Sequence, residues 1–136
     1  MKRIAMSVVV GIFLLTSVVV GAAVAHTYVA ETSQSIHKAP HGVTAAGAKL
    51  FIFGRLKSPR QVCRANEWVK LMAVRLGPDK VLARDRTDRD GNFRFVRHPL
   101  VDQIVYTRFI GSFDQSPGHS HRCLSSRSRL QPVNVR

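Results

Sequence analysis

Acidic residues are scarce in this chain of 136, with 8 aspartates and glutamates against 21 lysines and arginines. No two of the acids stand out as the couple that general acid–base catalysis needs. No Gly-rich phosphate loop is present, which excludes nucleotide chemistry of the P-loop type. Ser125, Ser126 and Ser128 lack a nucleophile context. Internal repeats are missing. Aromatic residues are few and are not interleaved with the basic ones. That argues against a stacking platform for single-stranded nucleic acid. Beyond the first 25 residues no helical periodicity appears, which leaves an all-β reading.

What is abundant is positive charge. The formal net charge is +13, and arginine outnumbers lysine 15 to 6. Such a balance favours an anionic partner such as nucleic acid, an acidic glycan, a cell-wall polymer or a membrane surface. The basic residues are spread along the chain, which a solubilising surface also explains.

Lys2 and Arg3 precede an uncharged apolar run over residues 4–25. Ala23 and Ala25 form a small-x-small site with His26 after it. This is the pattern of a secretory signal. The run is also long enough to span a bilayer, where about 20 residues suffice. The expectation is a signal peptide over 1–25, with an uncleaved anchor as the alternative; the domain lies outside in either case. Membrane association follows only if that segment is retained. Residues 26–48 read as a flexible linker. His26, His37 and His41 are irregularly spaced there and read as solvated. The domain then covers residues 49–136.

Short strands are expected at 50–56, 68–76, 103–110 and 126–135, separated by turn residues. Residues 81–96, VLARDRTDRDGNFRFV, are the clearest stretch. They predict a hairpin: Asp90–Gly91 supplies the positive φ of the turn, and Phe93 and Phe95 alternate with Arg94. Asp85, Asp88 and Asp90 resemble a calcium loop only loosely. The EF-hand positions that require acids are occupied by Arg86 and Arg97, so an Asx-stabilised turn is the reading.

The chain has two cysteines. In an exported protein Cys63 and Cys123 are expected to pair, closing a loop that a small core needs. His119 and His121 project to one side of an extended segment and are the candidates for a metal site. With Cys123 in a disulfide only those two ligands remain, so no metal is assigned. Arg84, Arg86 and Arg94 around the hairpin, with Arg127 and Arg129 further on, are the candidate anion-binding residues.

The residues Val69-Lys70-Leu71, followed by Thr87-Asp88-Arg89-Asp90-Gly91-Asn92-Phe93-Arg94-Phe95, resemble the V-x-L and T-D-x-x-G-x-F-x-F pattern of transthyretin-like and carboxypeptidase regulatory-like domains. The resemblance implies a single antiparallel β-sandwich of about seven strands, prealbumin-like, with one disulfide, as in small exported proteins. Hydroxyisourate hydrolase shares that fold and ends in Tyr-Arg-Gly-Ser. This chain ends Pro132-Val133-Asn134-Val135-Arg136, so that activity is not carried over. The resulting expectation is an exported, non-enzymatic binding or structural module without a cofactor. It would take an anionic polysaccharide or a protein partner, and nucleic acid is disfavoured. A hydrolase on the same fold and a metal module built on His119 and His121 are the alternatives.

Overall fold

The computed structural model describes residues 26–136. The signal-peptide reading of residues 1–25 lies outside them. Among the described residues no helix is long and apolar enough to cross a membrane.

The described residues form an all-β fold of twelve strands in three sheets. In chain order these are β1 (His26–Ala30), β2 (Ser33–Ala39), β3 (Val43–Thr44), β4 (Leu50–Lys57), β5 (Trp68–Ala73), β6 (Lys80–Arg86), β7 (Asn92–Arg97), β8 (Gln103–Phe109), β9 (Ser112–Ser116), β10 (His119–Cys123), β11 (Ser126–Arg127) and β12 (Gln131–Val135). The largest sheet runs β3-β12-β8-β5-β6, with β11 added on β8. A second sheet runs β2-β4-β7, and a third runs β1-β10-β9.

Alternation explains which faces are buried. Val69, Leu71 and Ala73 of β5 turn inward, as do Val105 and Phe109 of β8 and Val133 of β12. From the second sheet Ile36, Leu50, Ile52, Leu56, Phe93 and Phe95 join Val69, Leu71, Val105, Phe109 and Val133 in one core cluster. Burial of these side chains is the main stabilising term, at about 1.5–3 kcal/mol for each large one.

Two expectations are corrected. Residues 26–48 are not a linker, since they supply β1, β2 and β3. β2 pairs with β4 along its whole length, from Ser33 opposite Lys57 to Ala39 opposite Phe51. Its one large apolar side chain, Ile36, is fully buried. A strand of one apolar residue among polar neighbours carries no period-2 signal, and its stability comes from the ladder it completes. Ser112–Cys123, also mostly polar, form the hairpin β9–β10, turning at Gly118 with φ +80°.

Residues 81–96 are the second case. β6 and β7 do form, but they do not pair with one another. β6 pairs with β5 and β7 with β4, so the turn is an arch between two sheets rather than a hairpin. Its polar groups are spent on fastening the arch to both sides. Thr87 is buried, its hydroxyl accepts the Glu67 N–H at 2.8 Å, and its own N–H donates to the Glu67 carbonyl. The Asp85 carboxylate accepts the Arg94 N–H at 2.7 Å, the place a ladder bond would occupy in a hairpin. Gly91 has φ +90°, and a Cβ there would lie 2.1 Å from the Leu56 carbonyl oxygen. The glycine requirement was readable; which strands it joined was not.

Cys63, at the end of a 3-10 turn, is bonded to Cys123 at the end of β10. Both are buried. The bridge pins the third sheet to the core. It is seconded by the Leu124 N–H donating to the Ala30 carbonyl and by the Thr32 hydroxyl donating to the Leu124 carbonyl.

Candidate anion-binding face and histidine cluster

The register of the largest sheet brings four cations into line. Lys70 on β5 stands opposite Arg84 on β6 and, on its other side, opposite Arg108 on β8. Arg108 in turn stands opposite Arg127 on β11. Directly opposed residues project from the same face of a sheet. Their neighbours Val69, Leu71, Thr107 and Phe109 are buried, so this face is the outer one. The order Arg84–Lys70–Arg108–Arg127 therefore crosses four strands. At about 4.8 Å per strand spacing the row is about 14 Å long. Like charges placed opposite one another cost stability rather than contribute to it.

Arg86 and Trp68 form the next opposed pair along this face. The Arg86 guanidinium lies 5.5 Å from the centre of the Trp68 ring, and Trp68 is 54% exposed. Towards the Arg127 end a hollow of about 360 Å³ is lined by Tyr106, Arg108, Ser125, Ser126 and Arg127. The Tyr106 hydroxyl donates to Asp79 at 2.6 Å, and the Arg75 N–H donates to the same carboxylate at 3.2 Å. Those bonds, with help from Arg127 and Arg108, hold Asp79 below its ordinary value. The same hydrogen bond raises Tyr106.

The five arginines read from the sequence are thus regrouped. Arg84, Arg86 and Arg127 share the basic face. Arg94 does not: it lies on β7 of the other sheet, 4.1 Å from the centre of the Phe51 ring. Arg129 is exposed on the loop before β12, two residues past Arg127. Lys70 and Arg108 complete the row and were missed. Only strand register could have found them, because they come from strands 38 positions apart in number. Asp88, which looked like a calcium ligand, is used internally. It accepts the N–H groups of Asp90 and Asn92 at 2.8 and 2.9 Å and the Asn92 side-chain amide at 2.9 Å. These bonds, led by the Asn92 amide, hold its pKa below the usual carboxylate value.

His119 and His121 lie on one face of β10, as their spacing implies. β1 runs parallel to β10 and places His26 opposite His119. His26, read as a solvated linker residue, is therefore part of a three-histidine cluster. One nitrogen from each ring lies within 4.8 Å of the others. The cluster depends on a pairing across 93 residues, which no local spacing reveals.

No protein-family model matches the chain, and no curated protein matches it in sequence.

Proposed function

We propose that this is an exported, non-enzymatic binding module of the prealbumin-like sandwich type, and that its outer basic face takes an acidic polysaccharide. The observation carrying this reading is the row Arg84–Lys70–Arg108–Arg127. A fold selected for stability alone would place acids between those cations, since opposite charges across strands stabilise and like charges do not. A polymer with regularly spaced carboxylate or sulfate groups neutralises the row along its length. Arg supplies planar, two-pronged donors suited to such groups. Trp68 adds an exposed apolar ring beside the charges.

Export is supported by the Cys63–Cys123 bridge, because disulfides persist chiefly in oxidising compartments. The acids nearest the arch, Asp85 and Asp88, are engaged by backbone N–H groups, which favours a structural role for them over a catalytic one.

The test is retention on immobilised acidic polysaccharide and on a neutral glycan across a salt series. The expected result is retention on the acidic polymer alone, falling steeply between about 0.05 and 0.2 M salt, as bound counterions are released and then compete. Equal retention on both glycans, or none on either, would overturn the reading.

A further inference from the structure

The His26, His119 and His121 cluster plays no part in the basic face. We infer that it is a binding site for a divalent transition metal that prefers imidazole nitrogen, with Cu(II) held more tightly than Zn(II).

The backbone sets the cluster. His26 and His119 are opposed across the parallel β1–β10 pair, and His121 is two residues along the same face. The His26 Nε2 and His119 Nδ1 atoms are 3.0 Å apart. The His26 ring is 4.2 Å from that of His119 and 5.6 Å from that of His121, centre to centre. Tetrahedral ligands at about 2.05 Å from a metal are about 3.3 Å from one another. Nitrogens within 4.8 Å therefore need to close by no more than about 1.5 Å. Rotation about side-chain bonds suffices, and His26 and His119 are exposed and free to turn.

His121 gives the second sign. Tyr28 stacks on its ring at 4.2 Å and fixes the plane. Among the described residues its Nε2 is buried and has no hydrogen-bond partner. An imidazole nitrogen left unpaired inside a protein is costly, and a metal ion is one way to use it. Asp114 stands opposite His121 from β9, on the same face, and places a negative charge beside the site. Against this, Arg60 sits 4.6 Å over the Tyr28 ring, and its charge works against a bound cation.

The donor set decides the metal. Three imidazoles, with the nearby Cys123 sulfur locked in its disulfide, suit Cu(II) and Zn(II) and suit calcium or magnesium poorly. At equal ligation Cu(II) ranks above Zn(II). His26 and His119 are exposed, so the cluster faces solvent, as open rather than structural sites do. Signal cleavage ahead of His26, which residues 23–25 lead one to expect, would add its α-amine as a further nitrogen donor. Bound metal would also clip β1 onto β10.

The experiment titrates the chelator-stripped full-length protein with copper sulfate and, separately, zinc chloride, following calorimetry and the nitrogen couplings in the Cu(II) spin resonance spectrum. The expected result is one equivalent of Cu(II) with several imidazole couplings, and weaker Zn(II). Outer partners of metal ligands are worth about 10–100-fold in affinity, so removing a ligand in His26→Gln or His119→Gln should cost at least that. His37→Gln, outside the cluster, should bind like the parent. Both cluster histidines replaced are exposed, so the metal-free variants should melt with the parent, which separates lost ligation from lost folding. No binding at about 0.1 mM metal, or equal binding by His26→Gln and parent, would overturn the inference.

Discussion

The double variant Lys70→Glu, Arg127→Glu is expected to lose retention on acidic polysaccharide while gaining, or at least keeping, stability. The two effects have opposite sign because the row is opposed across strands. In the parent its three opposed pairs, Arg84 with Lys70, Lys70 with Arg108 and Arg108 with Arg127, are all like-charged. In the variant every one becomes an opposite-charge pair. Each such exchange is worth roughly 0.2–1 kcal/mol. For the ligand the balance reverses. Two attractions become two repulsions, each about 1 kcal/mol at contact in water, for a total near 4 kcal/mol. That corresponds to about a thousandfold in affinity.

Net charge alone does not predict this. Replacing two cations by two anions lowers +13 by four to +9. Lys57→Glu with Arg89→Glu makes the same change at two exposed positions outside the row. That control should keep most of its retention. If both variants lose it equally, diffuse charge does the binding and the row has no special role. Retention and thermal melting, measured on the same preparations, separate the two effects.

Replacing both cysteines by alanine is expected to cost about 4 kcal/mol. The bridge joins residues 60 apart, and in the chain-entropy model a closed loop of that size restricts the unfolded chain by about this amount. Typical domains are stable by only about 5–15 kcal/mol, so the loss is a large part of the whole. The melting temperature should fall by roughly 15–25 °C. The effect should also be uneven. The β9–β10 hairpin is largely exposed and is tied down chiefly through Cys123 and the bonds around Leu124. Amides of β9 and β10 should exchange faster than those of β5 and β8, which lie in the core. A melting point within about 5 °C of the parent would mean that packing, not the bridge, holds the third sheet.

Much of the fold was legible in the chain itself. β4, β5, β7 and β8 carry apolar residues at strand spacing, and Phe93 and Phe95 are buried with Arg94 exposed between them. The cysteine pair followed from count and setting. What escaped were strands stabilised by their partners. β2 carries Ile36 alone as a large buried anchor, and β9 and β10 are mostly polar. Asp90–Gly91 correctly marked a turn, yet nothing local distinguishes a turn within one sheet from an arch between two. The candidate sites were only half visible for the same reason. Arg84, Arg86 and Arg127 were individually apparent, but their alignment through Lys70 and Arg108 is a property of register. His26 looked like a stray residue because its partner lies on the far end of the chain.

The decisive measurement is a titration of the protein with a short acidic oligosaccharide, followed through backbone amide shifts at two salt concentrations. Docking on the basic face should move Trp68–Ala73, Gln103–Phe109, Ser126–Arg127 and the residues around Arg84 and Arg86, less so at the higher salt, and leave β2, β4 and β7 unmoved. Shifts centred on Phe51, Phe53 and Arg94, or none at all, would contradict it.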